Sequence, residues 1–224
     1  MGFIGKQPTS VPLTSSDITD GIISTAKIAD DAVGNTKLDL SANYAFTGTV
    51  TGAGGMNLLL NATISSSIAG YAISSTYINS TYDEYLIFFN FTFAVDTSNL
   101  KMRVYVADSL KTASIYAYEV GNTGASNYVN SDNSDDFRLN ENTIGNATGE
   151  SVQGMLHLQN VNTTSFPFIY SGFCNLFNGS GTHEGQAVTG SLKVSDIANV
   201  VNGIRFNGSG NINGGTVKLY GISK

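Results

Sequence analysis

Several residue types that mark common functions are scarce in this chain of 224 residues. Tryptophan is absent, proline occurs three times, and Cys174 is the single cysteine. One cysteine excludes a disulfide within the chain, and a catalytic thiol would need a basic partner, for which only His157 and His183 are available. We therefore predict that Cys174 is a small buried hydrophobic residue and that stability comes from the core and from association.

Positive charge is also scarce. The chain has 11 Lys and Arg residues against 17 Asp and Glu residues, a formal net charge of −6. Binding to nucleic acid needs a basic face that releases counterions from phosphates, and no segment of the sequence provides one. The charge balance therefore argues against nucleic acid as a partner.

Long apolar runs are missing as well. The most apolar segment, residues 85–95, is interrupted by Asn90 and Thr92 and is shorter than the roughly 20 residues of a membrane-spanning helix. The first six residues lack the continuous apolar segment of a signal peptide. We expect no membrane insertion and synthesis without secretion.

Glycine, asparagine, serine and threonine are abundant instead. The 25 glycines and a charged fraction of only 12% predict a neutral, turn-rich surface that forms many hydrogen bonds. Such a surface is typical of all-β extracellular or virion proteins.

The first quarter of the chain differs from the rest. Residues 1–60 contain three aromatic residues, against twenty in the remainder, and they include two related units at residues 20–28 and 31–38. One apolar pair per unit is too little for a separate core, so such units become stable when they are wound or stacked with copies from other chains. We predict an extended N-terminal arm with short repeats over residues 1–56. An amphipathic helix over residues 17–33 is the alternative.

Strand patterns dominate after a glycine-rich joint near residues 52–58. Alternation with period two at residues 100–106 and 152–158 indicates strands with one buried face. Together the patterns predict a jelly-roll-like antiparallel β-sandwich over residues 57–224, so that the fold class is all-β. The predicted strands are residues 62–68, 77–79, 82–92, 100–107, 114–120, 137–139, 151–159, 166–177 and 187–194, followed by a closing hairpin of 203–206 with 215–222.

Residues 121–150 form the longest polar stretch, and we predict a functional loop there. Aromatic faces stack on sugar rings, and Asn or Asp side chains bind sugar hydroxyls. The residues predicted to face a receptor are Asn127, Tyr128, Asn130, Asp132, Asp135 and Asp136. An ordinary polar loop without a ligand is the alternative.

The polar stretch also allows two other chemistries. The oxygen side chains of residues 130–136 could surround a calcium ion, although their order differs from an EF-hand loop, and a solvated acidic loop is the favoured interpretation. A glycosidase would need two carboxylates about 5–10 Å apart. The available acids are Asp83, Glu84, Asp135, Asp136 and Glu141.

The two histidines and one cysteine fall short of the three or four ligands of a zinc site. His157 is expected to be a solvated strand residue and His183 a loop residue.

The order of these segments resembles a known class of proteins. Residues 2–8, the units at 20–28 and 30–38 and the spacer at 46–51 are similar to the N-terminal regions of tail fibres and other fibrous virion proteins from phages of cyanobacteria and marine bacteria. The segments at 145–158, 201–206 and 214–222 resemble a C-terminal domain found on such proteins. The resemblance implies a homotrimer whose N-terminus docks on the virion and whose β-rich tip projects outward.

From the resemblance we expect a short trimeric tail fibre at the surface of a phage particle, assembled in the host cytoplasm. The N-terminal arm would bind a phage tail or baseplate protein, with Phe3, Ile4, Pro8, Pro12 and Leu13 as the attachment residues. The C-terminal domain would contact a host-surface glycan or protein, without enzymatic activity or a cofactor. The alternatives are a capsid-decorating head fibre or cement protein, and a polysaccharide-degrading tailspike.

Overall fold

The computed structural model describes residues 55–122, 128–196 and 200–222. The predictions for the arm, its repeat, the alternative helix and the five attachment residues therefore lie outside the described residues, as does Asn127. The predicted division into two domains at residues 56 and 57 stays a prediction.

The described part of the chain consists of β-strands joined by turns, with one 3-10 turn at Val194–Asp196. The strands are β1 Met56–Ile64, β2 Tyr71–Ile73, β3 Glu84–Phe93, β4 Leu100–Val106, β5 Ser109–Leu110, β6 Tyr116–Asn122, β7 Tyr128–Ser134, β8 Phe137–Arg138, β9 Val152–Gln159, β10 Ile169–Phe177, β11 His183–Leu192, β12 Val201–Gly208 and β13 Ile212–Ile222. Within these ranges, no helix is long and apolar enough to cross a membrane.

The strands form two antiparallel sheets. The large sheet has eight strands in the order β1-β13-β3-β9-β10-β11-β6-β7. The small sheet has the order β2-β12-β4-β5, and β8 also pairs with β4. The prediction of an all-β fold with antiparallel sheets is confirmed for the described residues.

The two sheets share one hydrophobic core. In β3 every second residue is buried, so that Phe89 and Phe91 lie on the inward face of the large sheet. Their ring centroids are both 5.4 Å from the ring of Phe206 on β12 of the small sheet. Aromatic pairs of this kind contribute about 0.5–1.5 kcal/mol each beyond the burial of apolar area. The inward side chains thus hold the two sheets face to face.

One predicted strand is wrong, and one observed strand was not predicted. Residues 77–79 form a turn in which the amides of Tyr77 and Ile78 both donate to the carbonyl of Ser74, while the strand lies earlier, at β2. The polar stretch over residues 121–150 contains β8, where a strand was predicted at 137–139, and also β7, where none was predicted. Strand β7 has no buried residue, so it lacks the apolar alternation by which strands are found in a sequence.

The predicted C-terminal hairpin is also wrong. Strands β12 and β13 exist, and Ile204, Phe206, Val217 and Leu219 are all buried as their alternation indicated. However, β12 pairs with β2 and β4 in the small sheet, whereas β13 pairs with β1 and β3 in the large sheet. The short connection between them crosses from one sheet to the other, because each strand adds its apolar face to the shared core.

Candidate ligand-binding surface

Three of the predicted receptor-facing residues come together on the edge strand β7. Tyr128, Asn130 and Asp132 occupy alternate positions, so their side chains lie on the same face of the strand, and all three are exposed. That face is the outer face of the large sheet, where Asn130 lies opposite Glu119 of β6 and Glu119 lies opposite Thr189 of β11. Polar side chains therefore form a continuous row across three strands.

This row forms part of a shallow groove of about 340 Å³. Its lining residues are Ala117, Tyr118, Glu119, Asn130, Asp132, Ile169, Thr189, Gly190 and Ser191. The groove thus combines two carboxylates, a carboxamide and the hydroxyls of Tyr118, Thr189 and Ser191 with small and apolar residues, and no lysine or arginine is among the described residues that line it. Its volume is at the lower end of the range of about 300–1,000 Å³ that is usual for small-molecule sites.

The chemistry of this groove suits a neutral ligand with many hydroxyl groups. Carboxylates accept hydrogen bonds from hydroxyls, and the Asn130 amide can both donate and accept. The Glu119 and Asp132 carboxylates would repel an anionic ligand. Tyr128, on the same strand face and 61% exposed, offers an aromatic ring next to these polar groups.

Asp135 and Asp136, by contrast, are directed to the small sheet. The Lys101 Nζ lies 3.1 Å from the Asp136 carboxylate, and a guanidinium nitrogen of Arg103 lies 2.8 Å from the Asp135 carboxylate and 3.6 Å from that of Asp136. Asp136 is only 4% exposed. The prediction that Asp136 faces a receptor is therefore wrong, because ion pairs with β4 hold its buried carboxylate against the domain. Asp135 is exposed beside Arg103, and its contact with a receptor stays a prediction.

The same contacts correct the interpretation of residues 130–136 as a solvated acidic loop. Residues 128–134 are an extended strand, and the two aspartates that follow pair with cations. Across the residues that the structure describes, no group of three or more His, Cys, Asp or Glu side chains is arranged to hold a metal ion.

Of the remaining candidates, Glu84 pairs with His157, whereas one carboxylate oxygen of Glu141 is buried without a hydrogen-bond partner among the described residues. The His157 Nε2 lies 2.6 Å from a carboxylate oxygen of Glu84 on the outer face of the large sheet, and His157 is partly buried rather than fully solvated. Glu84 thus pairs with a residue of the large sheet, whereas Asp136 pairs with residues of the small sheet. His183 is the first residue of β11 instead of a loop residue, and its ring contacts Phe177 at a centroid distance of 5.6 Å.

Cys174 is fully buried, as predicted. Burial raises the pKa of its thiol to about 12, so the thiol is protonated at neutral pH. A protonated, buried thiol is a poor nucleophile, which agrees with a packing role for this residue.

Comparison of the chain with models of protein families, with curated proteins and with solved structures found no match.

The residues of the groove that sequence reasoning missed are Glu119, Thr189 and Ser191. Each is an outward residue of a strand that the sequence correctly indicated, but their meeting depends on the pairing of β6 with β11, about 70 residues later in the chain. Local periodicity carries no signal for such a pairing.

Proposed function

We propose that this protein is a phage virion fibre. In this proposal, residues 1–56 attach a homotrimer to the particle, and the groove at β6, β7 and β11 contacts a glycan of the host surface. One observation supports the proposal above others: the described chain begins in β1 at one edge of the large sheet, and the groove lies at the opposite edge. Seven strand spacings of about 4.8 Å separate the two edges, so the described chain begins roughly 30 Å from the groove.

We further propose that the domain is jelly-roll-like. Strands β1, β13, β3 and β9 are neighbours in the large sheet, and β2, β12, β4 and β8 are neighbours in the small one. In chain order, β1, β2, β3 and β4 lie alternately in the large and the small sheet, and β8, β9, β12 and β13 alternate in the same way. This is the order of an eight-stranded jelly roll built from two Greek keys. Strands β6, β7, β10 and β11 then extend the large sheet and form the groove at its edge.

The trimer is tested by the mass of the full chain in solution. A shallow groove binds one sugar unit weakly, and three linked copies would raise the overall affinity by their high effective concentration. Size-exclusion chromatography with light scattering should give three times the 23.6 kDa mass of one chain. A folded monomer at all accessible concentrations would contradict the trimer.

Glycan recognition is tested by two variants and a matched control. Asp132→Ala and Glu119→Ala should each weaken binding to host cells and to neutral oligosaccharides by about tenfold, the effect of losing one hydrogen bond to a charged group. The control is Asp135→Ala, which removes a neighbouring exposed acid that pairs with Arg103 outside the groove. Equal losses in all three variants, or stronger binding of acidic than of neutral glycans, would refute this assignment of the site.

The position on the particle needs a separate experiment. Gold-labelled antibodies against the domain of residues 57–224 should mark the tail on intact virions. Label over the entire capsid would instead favour the capsid-decorating protein. Release of reducing ends from host polysaccharide would favour a tailspike over the non-enzymatic fibre that we propose.

A further inference from the structure

An apolar surface lies on the outer face of the large sheet, away from the groove. The strand register aligns Leu58, Tyr220 and Leu86 in one row across β1, β13 and β3. A second row runs from Phe88 through Met155 to Phe173 across β3, β9 and β10. We call this surface the apolar face; its residues are Met56, Leu58, Leu86, Phe88, Met155, Phe173, Tyr220 and Ile222.

The apolar face is substantially exposed. Leu58 is 53% exposed, Phe173 47% and Phe88 40%. The rings of Phe88 and Phe173 flank Met155 in a depression of about 270 Å³, and Phe88 packs edge-on against Tyr220 at a centroid distance of 5.9 Å. Contiguous exposed apolar surface over five strands is unusual for a solitary soluble domain and marks a contact with another molecule.

The charges around this surface identify another copy of the same chain as a suitable partner. Glu84 is paired with His157, and Lys218 lies beside Phe88, so the face carries little net charge. The acids Glu119 and Asp132 lie at the opposite edge of the sheet. Identical chains with a net charge of −6 repel each other, and a neutral apolar face is where they can approach most closely.

The position of the face in the chain supports the same partner. The described chain enters the face directly, because Met56 and Leu58 of β1 belong to it and 54 residues precede the described part. Copies that are joined through residues 1–56 would have their β1 strands close together. We infer that the apolar face is the surface through which the copies of the proposed trimer contact one another, an inference that rests on the proposed function.

The inference is tested on the full chain with the double variant Phe88→Asp/Phe173→Asp. Both side chains point outward, so the core is unchanged, and charges at the contact should raise the concentration at which the trimer dissociates at least tenfold. Phe166→Asp is the matched control, because Phe166 is 62% exposed in the loop before β10 and does not belong to the apolar face. Light scattering over a dilution series measures the dissociation, and circular dichroism checks the fold.

Two results would overturn the inference in different ways. If the double variant and the control dissociate at the same concentration as the wild type, the contact lies elsewhere and the proposed trimer stands. If the wild type is a monomer throughout, the proposed trimer fails and the inference fails with it.

A labelling experiment gives an independent answer if the double variant does not fold. Cysteine is introduced by Phe88→Cys or, as the control, by Phe166→Cys, and the buried Cys174 gives little background. In the trimer a maleimide should modify Phe88→Cys at least tenfold more slowly than Phe166→Cys, and dilution to monomers should abolish the difference. Equal rates in the trimer would show that the face is free, for instance for a ligand. Slow labelling that persists in the monomer would show that the chain covers its own face; either result overturns the inference.

Discussion

Tyr116 and Tyr170 both pack against the ring of Phe137, but their hydroxyls have different surroundings. Both rings lie 4.7 Å from that of Phe137. The Tyr116 hydroxyl donates to the carbonyl of Lys111 at 2.8 Å and accepts from the amide of Val104 at 3.2 Å. The Tyr170 hydroxyl is buried without a hydrogen-bond partner among the residues that the structure describes.

This contrast predicts opposite effects of the same substitution. Tyr116→Phe should lower the free energy of unfolding by about 1–3 kcal/mol, because the buried Val104 amide loses its partner. Tyr170→Phe should raise it by about 1 kcal/mol, because the unpaired hydroxyl no longer has to be buried. Urea unfolding of the two variants measures both values. A loss of stability in both would show that the Tyr170 hydroxyl is satisfied.

The same tyrosines predict how stability depends on alkaline pH. Burial raises the pKa of Tyr116 from 10.0 to about 12 and raises that of Tyr170 well above its usual value. The unfolded chain therefore releases these protons at lower pH than the folded one. The stabilising contribution is fully present below pH 10 and is lost as pH rises through the folded pKa.

We expect the free energy of unfolding to fall between about pH 10 and pH 12, with an additional contribution from Cys174 that begins near pH 9, because the pKa of its thiol is raised from 9.0 to about 12. Urea unfolding at a series of pH values measures the fall, and Tyr116→Phe should make it smaller. An unchanged slope in this variant would argue against the assignment to Tyr116.

At the level of elements, Asp136 attaches the segment between β7 and β8 to β4 of the small sheet. Its buried carboxylate lies near both Lys101 and Arg103, whereas these two cations remain partly exposed. Asp136→Asn should therefore destabilise the domain by about 1–2 kcal/mol, less than the loss of a fully buried ion pair.

Asp132→Asn is the control for this prediction, because Asp132 is an exposed acid in the adjacent strand, and it should change stability by less than about 0.5 kcal/mol. Thermal unfolding of both variants provides the comparison. Similar shifts in the two melting temperatures would mean that Asp136 contributes no more than a surface charge.

The strands also show how far the sequence alone predicts this fold. Alternation correctly indicated that Phe206 and Val217 face the core, but it did not indicate that β12 and β13 join different sheets. One partner of β13 is β3, where Lys218 lies opposite Phe88, and a pairing over such a distance in the chain leaves no local pattern. Composition singled out the polar segment around Asn130, and three of its residues lie together on the outer face of β7. It could not show that Asp136, six residues later, faces the other sheet, because that depends on the pairing of β8 with β4 directly after β7.

At the level of the whole molecule, one face of the large sheet carries two surfaces of opposite character. The apolar face covers β1, β13, β3, β9 and β10, and the polar groove covers β11, β6 and β7 with Ile169 of β10 at its border. In the proposed trimer, the copies would meet through the half of the sheet that the chain enters first. The grooves would then lie at the periphery, where they remain open to a host surface.

This arrangement predicts how the domain behaves without its N-terminal segment. The core cluster of the described residues extends from Ile64 to Leu219, so a fragment of residues 55–224 contains this cluster and should fold with the near-ultraviolet circular dichroism of the full chain. Its trimer should dissociate at a concentration at least a hundredfold higher, because the arms no longer hold the copies at a high effective concentration. Light scattering of fragment and full chain over the same dilution series measures this difference. An unfolded fragment would show that the core depends on residues 1–54, and an equally stable trimer would show that the arm contributes nothing to assembly.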